Sequence, residues 1–254
     1  MKYPNPLKQR IRDGELLLGT VLPAHDSFTA SVVCRSDVDF LWIDTEHSAS
    51  AVEDLDMVPV IARQRDVAPM IRVAWNDPAL VKKAYDIGAV AVMIPQVNTA
   101  EEAERAVQYA RYAPEGNRGI SPYWAMLAGL DFNHVVRTAN EETVLVLQIE
   151  SLEAYENLDE IMQVDGIDVL FVGPTDLSAT LGVITQTESR EVQSIMRDVP
   201  KRLDGSGIMA GTTLDGMEEI REKIDWGYRY INVGSPMGYG MRVLQDNLDA
   251  LRNG

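Results

Sequence analysis

Residues 89–95, AVAVMIP, and residues 143–149, TVLVLQI, are short runs in which both faces of an extended chain would be apolar. A strand with one face in water alternates polar and apolar residues, whereas a parallel strand covered by helices on both sides does not. Working outward from these two runs, six more of the same kind appear, so that strands are expected at 16–23, 40–44, 69–74, 90–96, 144–150, 169–173, 208–212 and 230–234. Helical periodicity fills the intervals at 50–65, 77–87, 99–111, 151–164, 188–203, 215–225 and 237–251. Eight strand-helix units in a chain of 254 residues predict a single (β/α)8 TIM barrel occupying residues 1–254, with a doubly wound open sheet as the alternative. The long interval from Asn98 to Thr143 must hold extra structure between strands 4 and 5, read as a loop plus an added helix.

The composition narrows the partners. A formal net charge of −16 repels nucleic-acid phosphates and anionic lipid surfaces. No apolar run approaches the ~18 residues of a membrane span, and the N-terminal residues lack the apolar stretch of a signal peptide. The lone cysteine, Cys34, excludes an internal disulfide and fits a reducing compartment, so a cytoplasmic enzyme acting on small molecules is expected, with neither nucleic acid nor membrane as partner.

In a barrel the chemistry sits where the strands end. The second strand ends in Asp44, Glu46 and His47, the third carries Arg72, the fifth ends in Gln148 and Glu150, and the sixth runs into Gly173, Pro174, Thr175 and Asp176. Gln148 and Glu150 share a strand face because side chains alternate with a period of two. Glu150 and Asp176 belong to neighbouring strand ends, and two converging carboxylates without clustered cysteine or histidine suit a hard divalent cation. The competing reading of Asp176 is a helix N-cap.

All six lysines lie in the N-terminal segment or in helical stretches, which argues against a Schiff-base mechanism. Arg72, inside a buried run, needs an anionic partner. His47 is either a loop histidine or a general base suited to neutral pH. His25, in PAHDS beyond the first strand, falls on the same rim, while His134 reads as structural. The turn at Gly173 and Pro174 aims the backbone N–H groups of Thr175 and Asp176 at an anion.

The stretches FLWIDTEHS, MIRVAWNDPALVKKAYDIGAVAVMIPQVNTAEEAERAV, ARYAPEGNRGI, LQIES and IDVLFVGPTDLSATLG, in this order, resemble the HpcH/HpaI aldolases, the metal-dependent class II pyruvate aldolases. The resemblance implies a barrel that reversibly cleaves 4-hydroxy-2-oxo acids to pyruvate and an aldehyde. It implies Glu150 and Asp176 as ligands of a divalent cation, Mg²⁺ or Mn²⁺ first and Co²⁺ or Zn²⁺ as further options. It also implies Arg72 as the group stabilising the pyruvate enolate, His47 as the acid/base paired with Asp86, Gln148 beside the keto acid, and Gly173 and Thr175 around its carboxylate. Asp44 and Glu46 match acids that act near the metal through water, and a homo-oligomer, a hexamer, is implied as well. Two other readings remain open at this level: an oxaloacetate-decarboxylating lyase that uses the same enolate differently, and a keto-acid-binding barrel without turnover. Thr45 and Ser48 depart from the pattern. The segment RGISPYWAML, with Pro122, Tyr123 and Trp124, is expected to narrow the aldehyde pocket together with PAHDS.

Overall fold

The protein is described by a computed structural model covering residues 1–253. Eight parallel strands close into a barrel in sequence order: β1 (Leu17–Val21), β2 (Phe40–Asp44), β3 (Ala68–Arg72), β4 (Ala91–Ile94), β5 (Val144–Ile149), β6 (Val169–Val172), β7 (Met209–Thr213) and β8 (Tyr230–Asn232). Closure is made by β1 pairing with β8, with Gly19 beside Asn232. The open sheet is thereby excluded, and each expected strand lies within about two residues of its place.

The helices are α1 (Leu7–Arg12), α2 (Ser27–Val33), α3 (Val58–Gln64), α4 (Pro78–Asp86), α5 (Ala100–Ala110), α6 (Trp124–Leu127), α7 (Phe132–Glu142), α8 (Leu152–Glu156), α9 (Leu158–Ile161), α10 (Pro174–Thr180), α11 (Arg190–Arg202), α12 (Met217–Trp226) and α13 (Pro236–Asn253). The helix expected over 50–65 is instead a 3-10 turn (Val52–Leu55) followed by α3, because Asp56 adopts φ 42° and breaks the run. The extra segment between β4 and β5 contains two helices, α6 and α7, where one was expected.

Two apolar layers hold the barrel. Outward-facing residues such as Leu41, Ile43, Ile71, Leu145, Leu147 and Leu170 pack under the helices. Inward-facing Phe40, Met70, Met93, Val146, Phe171 and Tyr230 fill the interior together with Leu7 and Ile11 of α1, which plugs the N-terminal pole. Alternate residues of each strand thus serve opposite layers, which is why the runs at 89–95 and 143–149 are apolar throughout. The inward parity, continued to the strand ends, delivers Asp44, Arg72, Gln148, Gly173, Thr213 and Asn232 to the mouth.

Helix α13 differs from the others. None of its eighteen residues is buried, and Met237, Met241, Val243, Leu244 and Leu251 are all exposed.

Candidate active site

Arg72 closes β3 and is 8% exposed. Its Nε and Nη2 donate to the two oxygens of Asp44 at 2.9 and 2.6 Å, a two-pronged pair that fixes the guanidinium plane. Its Nη1 donates to Gln148 Oε1 at 3.4 Å and lies 3.0 Å from Glu46 Oε2, while the group sits over the Trp42 ring at 4.8 Å. The anion that a buried arginine demands is therefore supplied by the neighbouring strand. Burial alone would raise the Asp44 carboxyl, but the Arg72 hydrogen bonds and charge prevail and hold it below its ordinary range.

Thr45, unexplained by the sequence, has a structural task. Its hydroxyl and its N–H both donate to the Arg72 carbonyl, at 2.7 and 2.9 Å, and lock the β2 turn to the end of β3. Ser48 supplies a local turn, its Oγ accepting the Ser50 N–H.

Glu150 is 4% exposed. One oxygen accepts the Gln96 N–H at 2.8 Å and the other accepts from Gln148 Nε2 at 2.6 Å. Burial, reinforced by the charges of Glu46 and Asp176, pushes its carboxyl up to about 7. Glu46 is likewise raised, by burial first and by Asp44 and Asp176 among the like charges, while Arg72, 3.0 Å from its Oε2, acts in the opposite direction. Gly173 is indispensable here: a Cβ at this position would stand 2.8 Å from Glu150 Oε2. Asp176 follows in the first turn of α10, on the exposed side of that cradle.

Glu46 and Asp176 thus stand close enough to Glu150 to disfavour its ionisation, and Asp44 and Asp176 act likewise on Glu46. No group of three or more His, Cys, Asp or Glu side chains arranged to hold a metal occurs among the described residues. A hard cation can be held by two carboxylates when water and substrate oxygens complete its shell. The donor chemistry fits such a cation: each Glu150 oxygen spends one acceptor site on the protein and retains another, Gly173 leaves the carboxylate uncovered, and the mutual repulsion is what a divalent charge relieves.

His47 stands at the mouth with its side chain 61% exposed and Nε2 3.7 Å from Glu46 Oε2. Asp86, the expected partner of His47, is not brought to it within the chain. It ends α4, which descends from the mouth after β3 towards the N-terminal pole, roughly 13 Å of helix away. Burial, opposed by the Arg118 and Lys82 charges, lifts its carboxyl to about 6, and Oδ1 has no partner. It lines a cavity of about 310 Å³ with Ser121 and Tyr123. Trp124 packs with Val60 and Val135 under the Arg63 guanidinium. The RGISPYWAML segment therefore does not narrow the mouth of its own barrel, because α6 is tied to the outer face of α3 and α7.

Two polar residues that the sequence reading passed over, Thr213 and Asn232, reach the mouth from β7 and β8. The signal was available in parity: Asn232 lies two residues beyond Tyr230, on the same face.

The description HpcH/HpaI aldolase/citrate lyase matches residues 18–239. Among known proteins, the chain is similar to the hydroxypyruvate/pyruvate aldolase of Roseobacter denitrificans, with 36% identity covering 90% of each chain. It is also similar to the 2-keto-3-deoxy-L-rhamnonate aldolase of Escherichia coli K12, with 35% identity covering 91% of this chain and 86% of the other. The crystal structure of an HpcH/HpaI aldolase/citrate lyase family protein from Burkholderia cenocepacia J2315 superposes with a TM-score of 0.91 at 29% identity, covering 98% of this chain and 99% of that one.

Proposed function

This chain belongs to the HpcH/HpaI aldolase/citrate lyase family, and from that membership we propose that it is a divalent-metal-dependent pyruvate aldolase. It is a carbon-carbon lyase of the aldolase type, acting on small keto acids and aldehydes. The reaction we assign is the reversible cleavage of a 4-hydroxy-2-oxo acid to pyruvate and an aldehyde. The observation that carries the assignment is the pairing of an immobilised Arg72 with the mutually repelling carboxylates around Glu150, across the barrel mouth.

Glu150 and Asp176 would hold the cation, Mg²⁺ or Mn²⁺. When bound, it supplies positive charge to the oxygen on which an enolate develops. Arg72 adds a second positive group, already oriented by Asp44 and Gln148 and so needing no rearrangement as charge builds. Gln148 positions the keto acid through its carboxamide, and the turn after Gly173 offers the backbone N–H groups of Thr175 and Asp176 to the carboxylate. His47 takes the proton of the 4-hydroxyl as the carbon-carbon bond breaks, the enolate carbon takes a proton from water to complete pyruvate, and the condensation runs both transfers in reverse. Glu46 Oε2 lies 3.7 Å from His47 Nε2, and Asp44 and Glu46 order water near the cation.

Asp86 enters this scheme only from a second copy of the chain. The uncovered apolar face of α13 supports a homo-oligomer, for which we propose a hexamer. No helix among the described residues is long and apolar enough to cross a membrane, and we propose a cytoplasmic enzyme whose residues 1–254 act as one catalytic domain.

The test is retro-aldol turnover of a 4-hydroxy-2-oxo acid. Chelation by EDTA should abolish it and added Mn²⁺ should restore it. Glu150→Ala should lower it about 10³-fold or more with the circular dichroism spectrum unchanged. Turnover that survives both treatments sinks the proposal.

A further inference from the structure

The loop that follows α5 carries a positive charge that nothing in the chain answers. Arg118 is 6% exposed, a depth at which an unpaired guanidinium is costly. Its Cζ lies over two rings, 3.8 Å from the centroid of Tyr112 and 4.5 Å from that of Tyr85. Nε and Nη1 are buried without an acceptor. Nη2 makes no hydrogen bond either, and it is the one nitrogen left accessible.

Neighbouring groups do not supply the missing partner. The Tyr112 hydroxyl, close to Arg118, is itself buried without a hydrogen bond. Asp86 feels the Arg118 and Lys82 charges but forms an ion pair with neither, and burial holds its carboxyl up at about 6.

Nor can the arginine swing away, because everything around it is tied down. The Arg118 N–H donates to the Arg111 carbonyl at 2.9 Å and the Asn117 N–H to the Gln108 carbonyl at 2.8 Å. Gly116 lets the loop lie this close to α5, since a Cβ there would stand 2.6 Å from both carbonyl oxygens. The Tyr85 hydroxyl donates to the Val144 carbonyl at 2.8 Å. Tyr112 is clamped by the Asn140 carboxamide, which accepts its N–H at 2.8 Å and donates to its carbonyl at 3.0 Å.

Arg118 opens onto a cavity of about 230 Å³ between Pro78 and Lys82 of α4 and Tyr109 of α5, with Asn117 and Gly119 along its edge. Lys82 is half-buried, its stem running past Gly119, and its ammonium makes no ion pair. No carboxylate lines this cavity, in a chain with 39 acidic residues against 23 basic ones, so the two cations stand apart from the acidic surface.

We propose that this cavity is an anion-binding site, separate from the mouth, in which Arg118 and Lys82 hold a compact oxyanion: the phosphate or carboxylate head of a small molecule. The exposed Asn117 carboxamide adds a further donor. A guanidinium and an ammonium are the side chains that oxyanions pair with best. The volume falls short of the about 300–1,000 Å³ usual for larger organic ligands, which limits the occupant's size. The inference stands independently of the aldolase reading.

Calorimetric titration of the Mg²⁺-loaded protein with inorganic phosphate and, separately, with malonate tests this, with sodium chloride at matched ionic strength as control. The expected result is one phosphate or malonate per chain, and the tighter of the two identifies the head group. Kd should rise about tenfold or more in Arg118→Met and in Lys82→Met, and stay unchanged in Glu150→Ala, which alters only the mouth. Lys82→Met is decisive because its ammonium supports no contact in the fold, so a loss of binding there is not a loss of folded protein; circular dichroism checks this. Absence of binding by both anions overturns the proposal, as does equal binding of chloride or unaltered affinity in Lys82→Met. Affinity lost in Glu150→Ala but kept in Lys82→Met assigns the anion to the mouth and overturns it as well.

Discussion

The two poles of the barrel use the same kinds of residue to opposite ends. At the N-terminal pole, Lys8 Nζ lies 3.1 Å from Asp168 and Arg111 Nη2 lies 2.9 Å from the same carboxylate, which also accepts the Leu145 N–H at 2.8 Å. Arg63 pairs with Glu142 at 2.8 Å and donates to the Gly88 carbonyl at 2.6 Å. These charges are buried and their partners complete, and Leu7 and Ile11 seal them from below. At the mouth, His25 Nδ1 and Asn232 Oδ1 are buried without hydrogen-bond partners, Glu46 Oε2 has only its ion pair with Arg72, and the Glu150 carboxyl is raised. A finished network holds the barrel shut, whereas an unfinished one awaits a ligand.

Removing Asp168 should break the closed pole and spare the open one. Asp168→Ala leaves Lys8 and Arg111 buried without a counter-charge and is expected to cost about 3–5 kcal/mol of unfolding free energy, read from the denaturation midpoint. Turnover per folded molecule should be retained; its loss would show that the poles are not separable. Arg72→Lys tests the mouth. Lysine keeps the charge but not the fork that grips Asp44 while facing Gln148, and kcat should fall about 10²-fold with the denaturation midpoint nearly unchanged.

The smallest effect concerns pH. Because the Glu150 carboxyl is raised in the fold to about 7 from its ordinary value near 4.5, the folded state holds its proton more tightly than the unfolded chain. That contribution to stability is complete below pH ~4.5 and is lost as pH rises through about 7. The cation-free protein should therefore lose stability over this window, and Glu150→Gln should flatten the loss. Mn²⁺ at ten times its dissociation constant should restore about 1.4 kcal/mol at pH 8, and the same concentration much less at pH 5.5, where Glu150 is protonated. Thermal unfolding at the two pH values, with and without Mn²⁺, decides it.

Most of the architecture was legible from local pattern. The eight strands show as apolar runs of the right length, because a parallel strand buried on both faces admits little else. The helix between β1 and β2 and the plug α1 were not read. Both are short, six or seven residues, and take their helical form from packing against the barrel, with too few turns for a clear period. The single helix expected over 151–164 is split into α8 and α9 at Asn157, a break too slight to interrupt the apolar spacing. Among the site residues, Arg72, Gln148 and Glu150 could be read because they interrupt buried strands near their ends. Asn232 does so equally, yet stood at the edge of a run where a polar residue attracts no notice.

By itself the sequence determined eight buried parallel strands alternating with helices, the inward parity of each strand and the strand ends at which carboxylates and Arg72 gather, while closure of β1 on β8 decided for the barrel over the open sheet. Periodicity and chain length carry that information, and both are local. Only the tertiary structure decided which of those groups meet. It joined Arg72 to Asp44, gave Thr45 its place on the Arg72 carbonyl, and carried Asp86 and the 118–124 segment away from the mouth of their own barrel. It also revealed His25 and Asn232 as unpaired. Pairing depends on barrel closure and strand stagger, which bring residues 28, 76 or 214 positions apart into contact, and no local pattern encodes those distances.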